Sequence, residues 1–208
     1  GREVTNYQIV TPNAPATPAT HAITDLLEDN RGSLWIATLG AGLQRLDIQT
    51  GKITVYSVAR NGLPSDRINS LELTSDRNLL MGTTQGVAVL DLEKNTVASY
   101  HGTREGNIPY TSSYVNHVIE DHRGLWWIAT RDGVNIYDSK TDRLSVIGAA
   151  EGLANAVVLG VGCSGAESVW ASTAGGICRI VVERNDTGTD YIYRIYNYSE
   201  HDGLQGYE

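Results

Sequence analysis

Basic residues are in short supply. Sixteen lysines and arginines stand against 24 aspartates and glutamates, a formal net charge of −8 over 208 residues. Electrostatic capture of nucleic acid needs a basic face, so this composition argues against nucleic-acid binding by the chain. Long apolar runs are missing too. None approaches the roughly 20 residues that a membrane helix requires. Cysteine is scarce, with Cys163 and Cys178 alone. The repeat register described below puts them in the first and third strands of one sheet, roughly 9–10 Å apart, which is farther than a disulfide spans. The expectation is two buried free thiols, and they say little about compartment. The chain opens at Gly1-Arg2 with no signal segment and reads as an internal fragment. What remains is 41% hydrophobic and 19% charged, the composition of a globular chain.

The strongest pattern is a pentamer that comes back three times. Leu34-Trp35-Ile36-Ala37-Thr38 returns as Leu79-Leu80-Met81-Gly82-Thr83, Trp126-Trp127-Ile128-Ala129-Thr130 and Val169-Trp170-Ala171-Ser172-Thr173. Successive threonines are 45, 47 and 43 residues apart, a period that belongs to repeat architectures. Around each pentamer the same parts recur. An alternating strand precedes it, as in Ala22 to Glu28. A turn such as Asp29-Asn30-Arg31-Gly32 or Asp121-His122-Arg123-Gly124 leads in. A Gly-led strand follows, as in Gly42 to Asp47, Gly86 to Asp91 and Gly133 to Asp138. A last turn places Gly51, Asn95 or Asp142 where a left-handed backbone is needed.

Strand two is apolar on both faces, with Trp35 and Ala37 on one and Leu34 and Ile36 on the other. A sheet buried on both faces needs neighbours on both sides, and radial stacking of like sheets supplies them. The small residues Ala37, Gly82, Ala129 and Ser172 share the position where sheets approach most closely. The fold class expected is all-β: a partial β-propeller of about four four-stranded blades. The repeats run over about 21–64, 65–107, 108–153 and 154–204. Residues 1–10 form the outer strand of a preceding blade, because Glu3 to Tyr7 matches Lys52 to Tyr56. A β-solenoid is the competing architecture, but its rungs are shorter than this period.

Several motifs lose to the repeat. Gly160-Val161-Gly162-Cys163-Ser164-Gly165 spells a dinucleotide fingerprint, which needs a helix next to present its N-terminus. A strand by register, Val169 to Thr173, follows instead. The histidines His117 and His122 lie five apart without a carboxylate or cysteine at zinc spacing, so no metal is expected, and no cofactor. Asp29 and Asp121 lack the further ligands of a calcium loop and read as turn formers. Glu28-Asp29 and Glu120-Asp121 recur with the repeat, as structure would make them do, whereas a catalytic pair would break it. No catalytic residue is assigned.

Recognition is sought where the repeat fails. Strand directions alternate, so the turn between strands two and three shares a face with the link between blades. Loops on a rigid scaffold are the usual carriers of binding. On that face Gln85, Arg131 and Asp132 occupy turns, and Arg104, Tyr110 and Tyr114 occupy an insert running from His101 to Tyr114. Aromatic faces beside polar groups suit a sugar. These six residues are the candidate ligand contacts, against the competing reading of a solvated loop.

Glu28 to Thr38 followed by Gly42 to Asp47 resembles the two-component regulator propeller repeat. Glu120 to Thr130 is a second close match, and the likeness runs more weakly through the second and fourth repeats. The ending Tyr198 to Gln205 resembles the late part of the second propeller in hybrid two-component sensors of gut Bacteroidetes. The resemblance implies a periplasmic sensor region of an inner-membrane protein, itself non-catalytic. A sandwich domain, a membrane helix and a histidine kinase would lie elsewhere in the parent, and some relatives end in a diguanylate cyclase instead. It further implies an oligosaccharide ligand, the remaining blades of the parent chain as neighbours, and a homodimer. The alternatives are a propeller enzyme, a polysaccharide lyase or hydrolase, and a protein-interaction scaffold. Open blade faces would also favour self-association of the fragment.

Overall fold

The computed structural model describes residues 4–9, 22–100, 111–186 and 190–204. Among these residues sixteen strands form four separate four-stranded antiparallel sheets, each in chain order from inner to outer strand. The first blade is β1 (Ile23–Glu28), β2 (Ser33–Thr38), β3 (Leu43–Asp47) and β4 (Ile53–Tyr56). The second is β5 (Ile68–Leu73), β6 (Leu79–Thr83), β7 (Gly86–Asp91) and β8 (Thr96–Tyr100). The third is β9 (Val115–Glu120), β10 (Leu125–Thr130), β11 (Gly133–Asp138) and β12 (Arg143–Ile147). The fourth is β13 (Val158–Ser164), β14 (Ser168–Thr173), β15 (Gly176–Arg184) and β16 (Tyr191–Tyr198). A single helical turn, α1 (Val58–Asn61), sits in the link between the first two blades. The inner strands β1, β5, β9 and β13 pack side by side in that order, so the blades fan around an axis.

Three seams hold the fan together, and one rule describes all three. The face carrying the bulky and small residues of one second strand meets the face carrying the other two alternating apolar positions of the next. Trp35 and Ala37 pack with Leu79 and Met81. Leu80 and Val87 pack with Trp126 and Ile128. Trp127 and Ala129 pack with Val169 and Ala171. The rule follows from side-chain alternation along a strand buried on both faces. At the small position of the second blade the neighbours leave no room: a Cβ on Gly82 would lie 2.7 Å from Ser70 Oγ and 2.9 Å from a Val115 methyl.

Each inner strand also carries a β-bulge, at Thr24, Asn69, Asn116 and Leu159. A bulge re-aims the extra side chain. In the first three blades it points that side chain at the next blade. Thr24 Oγ1 donates to Ile68 O, Asn69 Nδ2 to Val115 O and Asn116 Nδ2 to Val158 O, all at 2.6 Å. The following residue accepts in return: Asp25 takes Leu71 N–H at 2.8 Å, and Ser70 Oγ takes Val118 N–H at 3.1 Å. These latches repeat with the same 45- and 47-residue spacing as the pentamer. Removing one partner leaves a carbonyl unsatisfied. Asn69→Ala is therefore expected to cost about 1–3 kcal/mol, read as a lowered urea midpoint by circular dichroism.

Turn chemistry follows the sequence reading. Gly51, Asn95 and Asp142 all take positive φ, at 71°, 54° and 55°. Gly133, at φ 94°, opens β11 where a Cβ would stand 2.7 Å from Ile147 O, so the close return of the outer strand requires glycine there.

Two expectations are corrected. Residues 4–9 form no strand, and Val4 and Tyr7 are exposed. An outer strand takes its hydrogen bonds from a third strand beside it, and no such strand precedes it within these 208 residues. Cys163 is exposed and only Cys178 is buried, both free. The cause is positional: Cys163 pairs with Val169 on the face turned toward the third blade, but it lies near the end of β13 beside the turn into β14. The glycine-rich stretch from Gly160 to Gly165 is, as the repeat register predicts, β13 and its turn into β14, a strand rather than a helix.

Candidate functional site

The face shared by the second turns and the inter-blade links is built on the four repeated threonines. Each threonine hydroxyl donates to the carbonyl of the glycine that opens the third strand. Thr38 reaches Gly42 at 2.7 Å, Thr83 reaches Gly86 at 2.8 Å, and Thr130 and Thr173 reach Gly133 and Gly176 at 2.9 Å. Each also accepts a turn N–H, from Ala41, Gln85, Asp132 and Gly175 at 2.8–3.1 Å. The repeated threonine thus fixes the turn as well as ending the strand. Whatever the turn residues carry is presented from a rigid base.

On the third blade this base holds a cluster. Thr111, in the link entering β9, donates its N–H to Asn135 Oδ1 at 3.1 Å and accepts Asn135 Nδ2 at 2.9 Å. Its hydroxyl donates to Asp132 O and meets the Thr130 hydroxyl at 3.3 Å. Asn135 is fully buried in the middle of β11. A buried amide must be satisfied, and Thr111 satisfies it, so the link is pinned under the Arg131-Asp132 turn. Tyr114 follows three residues on, with its N–H accepted by Ser112 Oγ at 3.3 Å. The Arg131 guanidinium lies over the Tyr114 ring, 3.7 Å from its centroid. That is a close cation–π contact.

The structure therefore brings Tyr114, Arg131 and Asp132 together. Gln85 lies exposed on the equivalent turn of the second blade, one blade earlier on the same face. Arg104 and Tyr110 lie outside the described residues. Thr111 and Asn135 went unread in the sequence. Their signal was an asparagine inside the apolar strand Gly133-Val134-Asn135-Ile136-Tyr137, a place where burial demands a partner. Among the described residues no group of histidine, cysteine and carboxylate side chains is placed to hold a metal.

The opposite face carries aspartates with structural work. Asp29 Oδ2 accepts Trp35 Nε1 at 2.9 Å, and its Oδ1 accepts the N–H groups of Arg31 and Ser33. Burial pushes its pKa upward, but those hydrogen bonds and the Arg45 charge outweigh burial and hold it below the ordinary carboxylate value. Asp121 repeats the arrangement with Trp127 Nε1 at 2.9 Å and adds an ion pair to Arg123 at 2.8 Å. On the same side a groove of about 500 Å³ between the third and fourth blades is lined by Asp142, Arg143, Asp190, Tyr191 and Tyr193.

His117 occupies the latch position held by Asp25 and Ser70 in earlier blades, yet its buried Nδ1 has no hydrogen-bond partner among the described residues. Burial lowers its pKa, partly offset by the Asp25 charge. The folded chain then binds fewer protons there than the unfolded chain does. Its stabilising share is present above the unfolded value of about 6.5 and is lost as pH falls below it. Nearby Glu72 has its pKa raised by burial, which acts in the opposite sense. A His117→Asn variant is expected to lose less of its urea midpoint between pH 7.5 and pH 5 than the parent chain.

Comparison with known proteins gives three findings. The family model described as "Two component regulator propeller" matches residues 18–40. That match falls on the first two strands of the first blade. No curated protein matches the chain at a significant level. Among solved structures, two extracellular domains assigned to hybrid two component systems of B. thetaiotaomicron are similar. One superposes with a TM-score of 0.72 at 20% identity, over 88% of this chain and 23% of that one. The other gives 0.64 at 24% identity, over 92% of this chain and 24% of that one. The chain thus spans about a quarter of the length of each. A virginiamycin B lyase from Staphylococcus aureus, crystallised as an inactive variant with quinupristin, is also similar: TM-score 0.64, 15% identity, 87% of this chain and 57% of that one. At these identities the likeness is one of fold, and the fold is that of a β-propeller.

Proposed function

We propose that this chain is part of the ligand-sensing propeller of a two-component receptor, lying outside the cytoplasmic membrane in the periplasm. It binds and does not catalyse, and the signalling enzyme, a histidine kinase, belongs to the parent protein. The ligand is an oligosaccharide, and the neighbours are the remaining blades of the parent chain and a second receptor in a homodimer. The repeat match and the fold likeness to extracellular domains of hybrid two component systems support the sensor reading. The observation that carries the ligand reading is the Arg131–Tyr114 stack at 3.7 Å, anchored through Thr111 to buried Asn135. A rigid aromatic ring beside a guanidinium and a carboxylate offers a sugar an apolar face and directional hydrogen bonds together.

Calorimetric titration with a panel of plant and microbial oligosaccharides tests this. Saturable binding without product is expected. Tyr114→Ala should weaken it by about tenfold or more, equivalent to about 1.4 kcal/mol, with the unfolding midpoint unchanged. Product formation would move the chain to the propeller enzymes. Binding confined to a protein partner would make it a scaffold.

A further inference from the structure

The outer hairpin of the fourth blade is longer than its counterparts. Eight residue pairs join β15 to β16, from Ile177 opposite Tyr198 to Arg184 opposite Tyr191. The same hairpins of the first three blades have four, five and five pairs. Gly133 and Gly176 open the third strands of the last two blades, so the pair Asp138 and Arg143 corresponds to Val181 and Arg194. The three pairs beyond it, 182–184 with 191–193, have no counterpart among the described residues. They supply Tyr191 and Tyr193, which pack toward the third blade. Tyr193 stands edge-on to Trp127. Two guanidinium groups hold the Tyr191 ring, one from each blade: Arg123 at 5.7 Å and Arg184 at 5.2 Å from its centroid, both within cation–π range. Arg123 is itself fixed by its ion pair to Asp121.

Beside these rings the seam stays open. The groove there measures about 500 Å³, against about 220 and 190 Å³ for the cavities at the first and second seams on the same face. Leu125 and Ile136 give it an apolar floor. Its rim is acidic, with Asp138, Asp142 and Asp190 set against Arg143. Asp138 is taken up by its own turn, where it accepts the N–H groups of Lys140 and Thr141 and the Thr141 hydroxyl. Asp142 accepts the Tyr137 hydroxyl through Oδ1 at 2.9 Å, and its Oδ2 accepts no hydrogen bond among the described residues. Asp190 meets Arg143 at 3.7 Å, too far for a hydrogen bond, and both side chains are largely exposed. A pair of that kind contributes little and opens at little cost. Burial raises the pKa of the Tyr137 hydroxyl, and the carboxylates of Asp142 and Asp138 raise it further, as a negative local field does.

We propose that this groove is a docking site for a lysine- or arginine-bearing segment of a partner protein. The side-chain stem lies along the apolar floor and the tyrosine edges, and the charged head reaches Asp142 and Asp190, the two carboxylates with capacity to spare. Charge complementarity selects this occupant: three carboxylates face one guanidinium, on a chain of net charge −8. A sugar fits less well, because stacking needs an open ring and the Tyr191 ring is already engaged by Arg123 and Arg184. The groove lies on the face opposite the Arg131–Tyr114 stack, so this proposal goes beyond the oligosaccharide reading and its test does not depend on it.

A dansyl-labelled tetralysine peptide is the probe, titrated with the chain and followed by fluorescence anisotropy. Saturable binding is expected, and it should weaken as salt rises from about 0.01 M to about 0.15 M, where the screening length falls from about 30 Å to about 8 Å. Asp142→Asn and Asp190→Asn together should weaken binding by about tenfold or more. Asparagine tolerates the positive φ at position 142, so the double variant keeps its fold, checked by circular dichroism. Tyr191→Ala should weaken binding too, although it alters no charge. Glu93→Gln removes an exposed carboxylate at the first seam on the same face and should leave binding unchanged. No saturable binding would overturn the proposal. So would retained affinity in Tyr191→Ala, or a loss with Glu93→Gln equal to that of the double variant, which would mean general attraction to an acidic chain. Displacement of the peptide by an oligosaccharide would give the groove to a sugar, and self-association abolished by the double variant would give it to a second copy. Either result would also overturn the proposal.

Discussion

Trp127→Ala is expected to lower the unfolding free energy by about 3–5 kcal/mol, the range for deleting a large aromatic side chain from a packed core. Trp127 is fully buried in the seam between the third and fourth blades. Its ring meets Tyr193 edge-on with centroids 6.0 Å apart, and its Nε1 donates to Asp121. The substitution therefore opens a cavity between two blades and removes one hydrogen bond from a buried carboxylate. Trp170→Ala in the same repeat position is expected to cost clearly less, because the face it occupies is open. Urea unfolding followed by far-ultraviolet circular dichroism measures both. Equal costs would contradict the account of which seams are closed.

Asp121→Ala should be comparably severe, at about 3–5 kcal/mol, because breaking a buried ion pair from one side strands the other charge. Arg123 would lose the partner that holds it 2.8 Å away, and its side chain is only 15% exposed. Trp127 Nε1 and the N–H groups of Arg123 and Leu125 would lose their acceptor as well. Asp121→Asn should recover part of the loss, since its amide oxygen can still accept one of these donors. The fourth blade is the natural comparison. Ser164 stands at the aspartate position there, and Trp170 has no hydrogen-bond partner for its indole N–H among the described residues. A double variant of Asp121 and Trp127 should cost less than the sum of the two singles, as directly bonded partners do.

The architecture was legible because a blade is a repeated physical problem. Trp35, Leu80, Trp127 and Trp170 recur at one position because each seam needs bulk there. Gly82 and Ala129 recur as small residues because sheets close on each other at that point. The inter-blade latches escaped notice although they share the period. Thr24, Asn69 and Asn116 differ in type, and only the bulge that re-aims them reveals a common task. Asp29 and Asp121 were rightly read as turn residues, but one side-chain oxygen serves the turn while the other anchors a tryptophan six residues on, beyond what a local pattern shows.

The candidate site was legible only in outline. Alternating strand direction put Gln85, Arg131, Asp132 and Tyr114 on one face. It could not show that Tyr114 and Arg131 stack, because that contact depends on where the link from Thr111 is tied down. The tie is a buried asparagine, and its partner lies 24 residues away in the chain. Burial of Cys163 was misjudged for a different reason: it faces the third blade but stands near the end of β13, and strand patterning does not show how far along a strand the neighbouring sheet reaches.

Nuclear magnetic resonance mapping of the backbone amides during titration with a bound oligosaccharide tests the central claim most directly, namely that recognition sits on the non-repeating turns rather than on the repeated frame. The account predicts saturable shifts at Thr111, Tyr114, Arg131 and Asp132, with Gln85 the outer limit of the footprint. Shifts confined to the opposite face, around Asp142, Asp190 and Tyr191, would contradict it and place the ligand in the groove between the third and fourth blades.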